Sequence, residues 1–293
     1  MTDTAADFAL DPICVRRHFA EAAATIGNAD FLAREVSLRM VERLDYIRHD
    51  PHRILDLGCG HGPDLAALAT RFPKALHVGA DFALPLLQAA QPERTLGQRL
   101  FGRNQPPRLV CANAGQLPLA NGKIDLLWSN LLLNWVTDPE PVLREMHRVM
   151  EIGGLLMFAT LGPDSLRELR AAMTRIPGEH VHRFIDMHDI GDCLVRTGFA
   201  DPVMDMQMLT LTYPDADSLF ADLRHAGCSN AAEGRPRGLT GRRAWALARQ
   251  NLEQTARDGQ IPLTIELIFG HAWKAAPTHT EDGRAIVQFR PRA

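Results

Sequence analysis

The chain of 293 residues contains no apolar run approaching the roughly 18 residues that a membrane-crossing helix needs. Its opening, MTDTAADFALDP, carries neither a basic nor an apolar leader segment, so no secretory signal is expected. Positive charge is not in excess: the formal net charge is -3, which leaves no global field directed at nucleic acid. Cysteines are few and scattered. The five, Cys14, Cys59, Cys111, Cys193 and Cys228, are odd in number and form no Cys-x-x-Cys, the pattern of reduced thiols in a cytoplasmic protein. Internal repeats and low-complexity stretches are missing too. What is present, 46% hydrophobic and 23% charged residues, is the composition of a globular domain.

Periodicity divides that domain. Residues 13 to 49 read as helical, with Phe31, Val36, Met40 and Leu44 recurring four and five apart. From Arg53 onward strand and helix alternate. Strands are expected at Arg53–Leu57, Leu76–Ala80, Arg108–Cys111, Ile124–Trp128 and Leu155–Thr160. Helices lie between them, one faced by Leu65, Leu68 and Phe72, another over Leu84–Ala90. A third starts at Thr137 or Asp138, carries Pro139 in its first turn and stops at Gly153-Gly154. Such alternation predicts a parallel sheet covered on both faces, with ligands beyond the carboxyl ends of its strands. Later elements are helices near 164–173 and 188–197, a strand near 203–212, two helical stretches, and a last strand over 263–269. The expected organisation is a helical N-terminal segment (1–50), a core (51–214 and 261–276), a helical insertion (215–260) and a weakly anchored tail (277–293). The N-terminal segment and the insertion are expected to pack together as a lid.

One segment carries most of the chemistry. In Asp56-Leu-Gly-Cys-Gly-His-Gly-Pro, glycines fall at every second position directly after a strand, where the chain must turn sharply and expose bare backbone. A nicotinamide loop would place its third glycine at Pro63. The observed D-x-G-x-G-x-G spacing resembles the first motif of class I methyltransferases, which implies S-adenosylmethionine (SAM) as cofactor. Candidate cofactor residues are Asp56, Gly58, Cys59 and Gly60, then Asp81 and Phe82 at the close of the second strand. Asp81 is placed to accept hydrogen bonds from two ribose hydroxyls, or else to cap the next helix. Asn113 and Ala114 follow the third strand, where Asn113 either faces an adenine amino group or serves as a turn residue. Asn130 and Leu131 would border the methionine end of the cofactor, although Leu131 to Leu133 also fit a plain core.

Several longer stretches narrow the resemblance. Trp128-Ser-Asn-Leu-Leu-Leu-Asn-Trp, Phe158-Ala-Thr-Leu-Gly-Pro-Asp-Ser-Leu-Arg-Glu-Leu, His182-Arg-Phe and Glu233-Gly-Arg-Pro-Arg-Gly-Leu-Thr are similar to the malonyl-acyl-carrier-protein O-methyltransferases of biotin synthesis. Arg17-His-Phe-Ala-Glu-Ala-Ala-Ala-Thr and Ile261-Pro-Leu-Thr-Ile-Glu join them, so the match spans roughly residues 15 to 274. The resemblance implies a Rossmann-like seven-stranded sheet under a helical lid, carboxyl O-methylation, and acyl-carrier protein as partner. Mitochondrial complex I assembly factors that modify an arginine share part of these patterns. An assembly factor and a small-molecule methyltransferase therefore stay open as other readings. One departure stands out: the family carries a tyrosine beside the acceptor where this chain has Ile26.

A carboxylate acceptor is already ionised at neutral pH and needs no general base, so the protein's task is alignment in a dry pocket. Trp135 and Phe184 are candidates for its wall, or plain core, and Arg183 is a candidate anchor or a surface residue. Arg235, Arg237, Arg242 and Arg243 form a local basic cluster, either a solvated face or a dock for an acidic carrier protein. Glu179, His180, His182, His188 and Asp189 lack the spacing of a zinc site, and no metal is expected. His61 reads as a solvent-side filler of the glycine loop, and Cys59 lacks the basic partner a nucleophile needs.

Overall fold

The computed structural model describes residues 9–91, 106–238 and 240–276, so the expected tail lies outside the described residues. Seven strands form one sheet in the order β3-β2-β1-β4-β5-β7-β6. They are β1 (Arg53–Leu57), β2 (Leu76–Asp81), β3 (Arg108–Cys111), β4 (Ile124–Asn130), β5 (Met150–Leu161), β6 (Phe199–Tyr213) and β7 (Ile261–Lys274). The first five pair in parallel, and β7 runs antiparallel between β5 and β6. This is the expected Rossmann-like sheet.

The central strands are apolar throughout because both of their faces are covered. Successive side chains enter opposite cores. Ile54, Leu126, Trp128 and Met157 join Val36 and Met40 of helix α2 (Phe31–Arg43). Leu55, Leu127 and Leu156 meet Val142, Leu143 and Met146 on the other face. The remaining crossover helices are α3 (Pro63–Arg71), α4 (Leu84–Ala89), α5 (Pro139–Val149), α6 (Arg167–Met173) and α7 (Met187–Arg196).

Two local expectations change. The N-terminal helical stretch is two helices, α1 (Pro12–Ala22) and α2, parted around Gly27-Asn28, with Asp11 capping the first through the Ile13 and Cys14 N–H groups. Asp138, not Thr137, caps α5 by accepting from the Glu140 N–H at 2.9 Å, while the Thr137 hydroxyl accepts from Leu10 N–H. The helix then ends at Val149 rather than at Gly153-Gly154. Met150 pairs at once with Ile124, so sheet pairing takes the backbone before the glycines arrive. Gly153 turns inside the β5 stretch with φ +84°.

Residues 215–260 supply α8 (Ala216–His225) and α9 (Arg242–Glu253). They meet the N-terminal helices across some 200 residues of sequence: Asp11 N–H donates to the Ala231 carbonyl at 2.9 Å, and the Thr25 hydroxyl to that of His225 at 3.0 Å. Helix α9 leans on α6, where the Asn251 amide donates to the Ala172 carbonyl. No helix among the described residues is long and apolar enough to cross a membrane.

Candidate active site

At the carboxyl edge of the sheet the chain leaves β1 through three left-handed glycines, Gly58 (φ +82°), Gly60 (φ +54°) and Gly62 (φ +87°). Each alternate position needs a conformation that costs a residue with a Cβ about 1–2 kcal/mol. The three have different reasons for carrying no side chain. A Cβ on Gly58 would lie 2.7 Å from Leu132 Cδ1, and one on Gly62 would lie 3.2 Å from Ala90 Cβ. A Cβ on Gly60 would meet nothing within 4 Å, because that face opens into a cavity of about 470 Å³. The volume is that of a small-molecule site.

Of the candidate cofactor residues, Gly58, Cys59, Gly60, Asp81, Phe82, Asn113, Ala114, Asn130 and Leu131 line this one cavity. Asp56 does not. It lies beneath the loop, almost wholly buried, with Oδ2 unpaired among the described residues. Burial raises its pKa well above the ordinary carboxylate range, and Asp64 and Asp81 push in the same direction. Asp81 accepts from Gly60 N–H at 3.0 Å and from Ala83 N–H at 2.8 Å, so one carboxylate ties the glycine loop to the start of α4. Burial raises its pKa against the pull of those two N–H groups. Each oxygen keeps a second lone pair for a ligand hydroxyl. Asn113 Oδ1 accepts from Gly115 N–H at 2.8 Å, the turn geometry expected of asparagine, and keeps an acceptor site on the cavity side. Leu131 holds a left-handed φ of 57° at the cavity wall, strain kept where the end of β4 must turn. Cys59 is buried with its thiol pKa pushed up, so it carries no thiolate at neutral pH.

The candidate acceptor residues separate. Ile26, Trp135 and Phe184 line the cavity, but Arg183 is exposed and contributes nothing to its lining. Its neighbours His182 and Phe184 point inward instead. A run of ring contacts, Phe82–Phe19–Trp135–His182–Phe184, spaced 4.9–6.1 Å between centroids, crosses the wall from the end of β2 to this segment. Burial, with a smaller push from Arg170, lowers the His182 pKa to about 4, so its imidazole is neutral at pH 7.

The basic cluster also divides. Arg235 has a side chain only 14% exposed, donates to Asp11 at 2.6 Å and to the Ala232 carbonyl, and so fastens the insertion to α1. Arg237, Arg242 and Arg243 remain on the surface. The histidines near 180–188 do not converge. His180 bonds the Pro177 carbonyl and His188 pairs with Asp186, and no group suited to a metal ion occurs among the described residues.

Three features escape a sequence reading. His61, expected to face solvent, has a side chain only 20% exposed and pairs with buried Asp30 at 3.0 Å. Asp64 accepts from the Trp128 indole at 2.8 Å and the Asn130 amide at 3.0 Å. The one available signal was a buried tryptophan, whose N–H requires an acceptor. Asn130 also donates to the Ala33 carbonyl, so the loop and β4 together hold the N-terminal segment over the cavity. The third feature is the Tyr213–Asp222 pair on the opposite wall.

Comparison with known proteins agrees with this arrangement. Residues 55–158 match the methyltransferase domain family. The fold is similar to that of the YcgJ protein of Bacillus subtilis (TM-score 0.56, 15% identity, 83% of this chain and 100% of that one). It is also similar to a SAM-dependent methyltransferase of Thermotoga maritima (TM-score 0.52, 16% identity, 89% and 99%). Sheet, glycine loop and matched domain together define a class I methyltransferase. Curated relatives narrow this further. The chain is 47% identical to the malonyl-[acyl-carrier protein] O-methyltransferase of Laribacter hongkongensis, covering 98% of both chains. It is 45% identical to that of Gallionella capsiferriformans, covering 96% of this chain and 97% of that one. The chain belongs to the malonyl-[acyl-carrier protein] O-methyltransferase family.

Proposed function

We propose that the protein transfers a methyl group from SAM to the free carboxylate of malonyl-acyl-carrier protein, the step that opens biotin synthesis. The observation that carries this reading is the glycine loop opening into a largely apolar cavity within a chain whose full length matches that family. The residues present fit the cofactor. Gly60 leaves bare backbone where a Cβ would enter the cavity, and Asp81 and Asn113 face the same space with acceptors to spare. The loop backbone and Asp81 would hold the nucleoside part, and Asn130 and Leu131 the amino-acid part. The bound cofactor supplies an electrophilic methyl on a sulfonium.

What the chain adds is alignment and dryness. Attack by an ionised carboxylate cancels opposite charges, so an apolar wall favours it over water. Trp135, Phe184 and Ile26 supply that wall, and an indole at such a wall can stabilise a nearby cation. The N-terminal segment and the insertion act as the lid that excludes solvent. The carrier protein docks on Arg237, Arg242 and Arg243. The last two occupy the first turn of α9, a position unfavourable for cations and without an acidic neighbour in that turn, which an acidic partner would relieve.

The test is labelled SAM offered with malonyl-carrier protein, malonyl-coenzyme A and free malonate. Label is expected as a base-labile ester on the carrier protein, with the free acid the poorest acceptor. Label on a co-purifying protein instead would replace this reading with that of an assembly factor.

A further inference from the structure

The cavity runs along the carboxyl edge of the sheet. Its cofactor loop follows β1, and its far wall includes Tyr213, the last residue of β6. Four strand spacings separate β1 from β6, about 19 Å along that edge. The far wall is mostly aliphatic, with Ile26, Leu223 and Ile265 among its residues. Its polar residues include a hydrogen-bonded pair: the Tyr213 hydroxyl donates to Asp222 Oδ2 at 2.8 Å. Tyr213 is 8% exposed, and the only other tyrosine of the chain, Tyr46, is 90% exposed on the surface.

A carboxylate entering such a wall loses its hydration and needs a donor. Ile26 has none, and Arg183 lies outside the cavity lining. An ionised Asp222 would repel the acceptor, yet the pair as a whole can do the opposite. Once Asp222 takes a proton from solvent, it donates to the tyrosine oxygen, and the phenol O–H is freed to point outward. We propose that Tyr213, backed by Asp222, orients the acceptor by donating a hydrogen bond to the carboxylate of the incoming malonyl thioester. This rests on the carboxyl-methylation reading above. It makes Tyr213 a substrate-contacting residue and Asp222 a positioning residue acting through it.

Two further observations support the relay. Burial already raises the Asp222 pKa, so a neighbouring anion needs to move it less far. Burial, then Asp222, also raises the Tyr213 pKa, which keeps the phenol protonated. Among the described residues, the other titratable groups acting on the pair are His225 on the same helix and Cys228 just beyond it. Arg249 of α9, the charged side chain that reaches α8, is engaged with Asp217.

The test is calorimetric binding of malonyl-pantetheine and of its methyl ester to the full chain held with S-adenosylhomocysteine. Tyr213→Phe keeps the ring and is expected to weaken binding of the acid by about 10- to 100-fold, the worth of one charge-assisted bond. The ester, which carries no anion, should change by less than about twofold. In the wild type, affinity for the acid should fall as pH rises and Asp222 ionises. Asp222→Asn, whose amide can donate to the phenol oxygen at any pH, should remove that dependence while keeping the affinity. Equal loss for acid and ester, or a pH dependence unchanged in Asp222→Asn, would reduce the pair to packing and overturn the inference. A wild type that binds the acid no better than the ester and methylates no malonyl thioester would overturn instead the reading beneath it.

Discussion

Gly60 shows how much one residue decides. Its φ is left-handed and its missing Cβ faces the cavity, so Gly60→Val meets both a backbone penalty and the space a ligand would fill. Asp81 is the complementary case, a buried carboxylate already bound to two backbone N–H groups. Asp81→Ala is expected to weaken SAM binding by about 1–3 kcal/mol, measured by calorimetry, through stranded hydroxyls and a loosened Gly60. Unchanged affinity would remove Asp81 from the cofactor site. Both residues are legible in the sequence because their geometry is local: glycines two apart after a strand, and an acid closing the next strand. His61, Asp64 and Tyr213 are not legible in the same way. Their partners, Asp30, Trp128 and Asp222, are 31, 64 and 9 residues away, and nothing local distinguishes a paired side chain from a solvated one.

Elements read well where burial leaves no alternative. The central strands are nearly continuous apolar runs, and β1 and β3 occupy the residues their patterns suggest. Boundaries fail where a tertiary contact overrides a local signal, as at Met150, where sheet pairing ends α5 ahead of the glycines. The same distinction separates the arginines of the insertion. Replacing Arg237, Arg242 and Arg243 by glutamate should raise KM for a carrier-protein substrate, mainly through slower and salt-sensitive association. Turnover of a malonyl thioester without the carrier protein should hardly change; an equal loss for both would make these arginines structural. Arg235→Ala belongs to another class, since it removes the closer and more buried of the two arginines on Asp11 and should lower the unfolding temperature without a comparable carrier-specific effect.

At the scale of the whole molecule, buried histidines set the acid side of stability. His182 is 6% exposed and held neutral, with a pKa of about 4 against an ordinary 6.5. An unfolded chain takes up this proton more readily, so the stability is complete above pH 6.5 and is lost as pH falls toward about 4. His182 alone accounts for roughly 3 kcal/mol over that window, and His18, His147 and His271, also lowered by burial, act in the same direction. Urea midpoints at pH 7 and pH 4.5 should differ clearly in the wild type and less in His182→Gln; an equal difference in both would show that His182 is not the sensor.

The bond from Asp11 N–H to the Ala231 carbonyl also has a consequence for how the protein is made. Leu10, Cys14 and Val15 share a small apolar cluster with Ala231, so during synthesis α1 has to wait for a segment more than 200 residues later before that cluster can close. During that interval β1 to β5 can pair from contacts nearer in sequence, whereas the Cys14 and Val15 side of α1 still lacks its Ala231 neighbour. Closing a loop of this length is slow and leaves the nascent chain open to aggregation. The cavity, walled by both segments, is therefore complete only after the insertion has been made, and a chain cut short before residue 231 would lack that share of the wall while α2 could still be tied over the glycine loop through Asn130 and the Ala33 carbonyl.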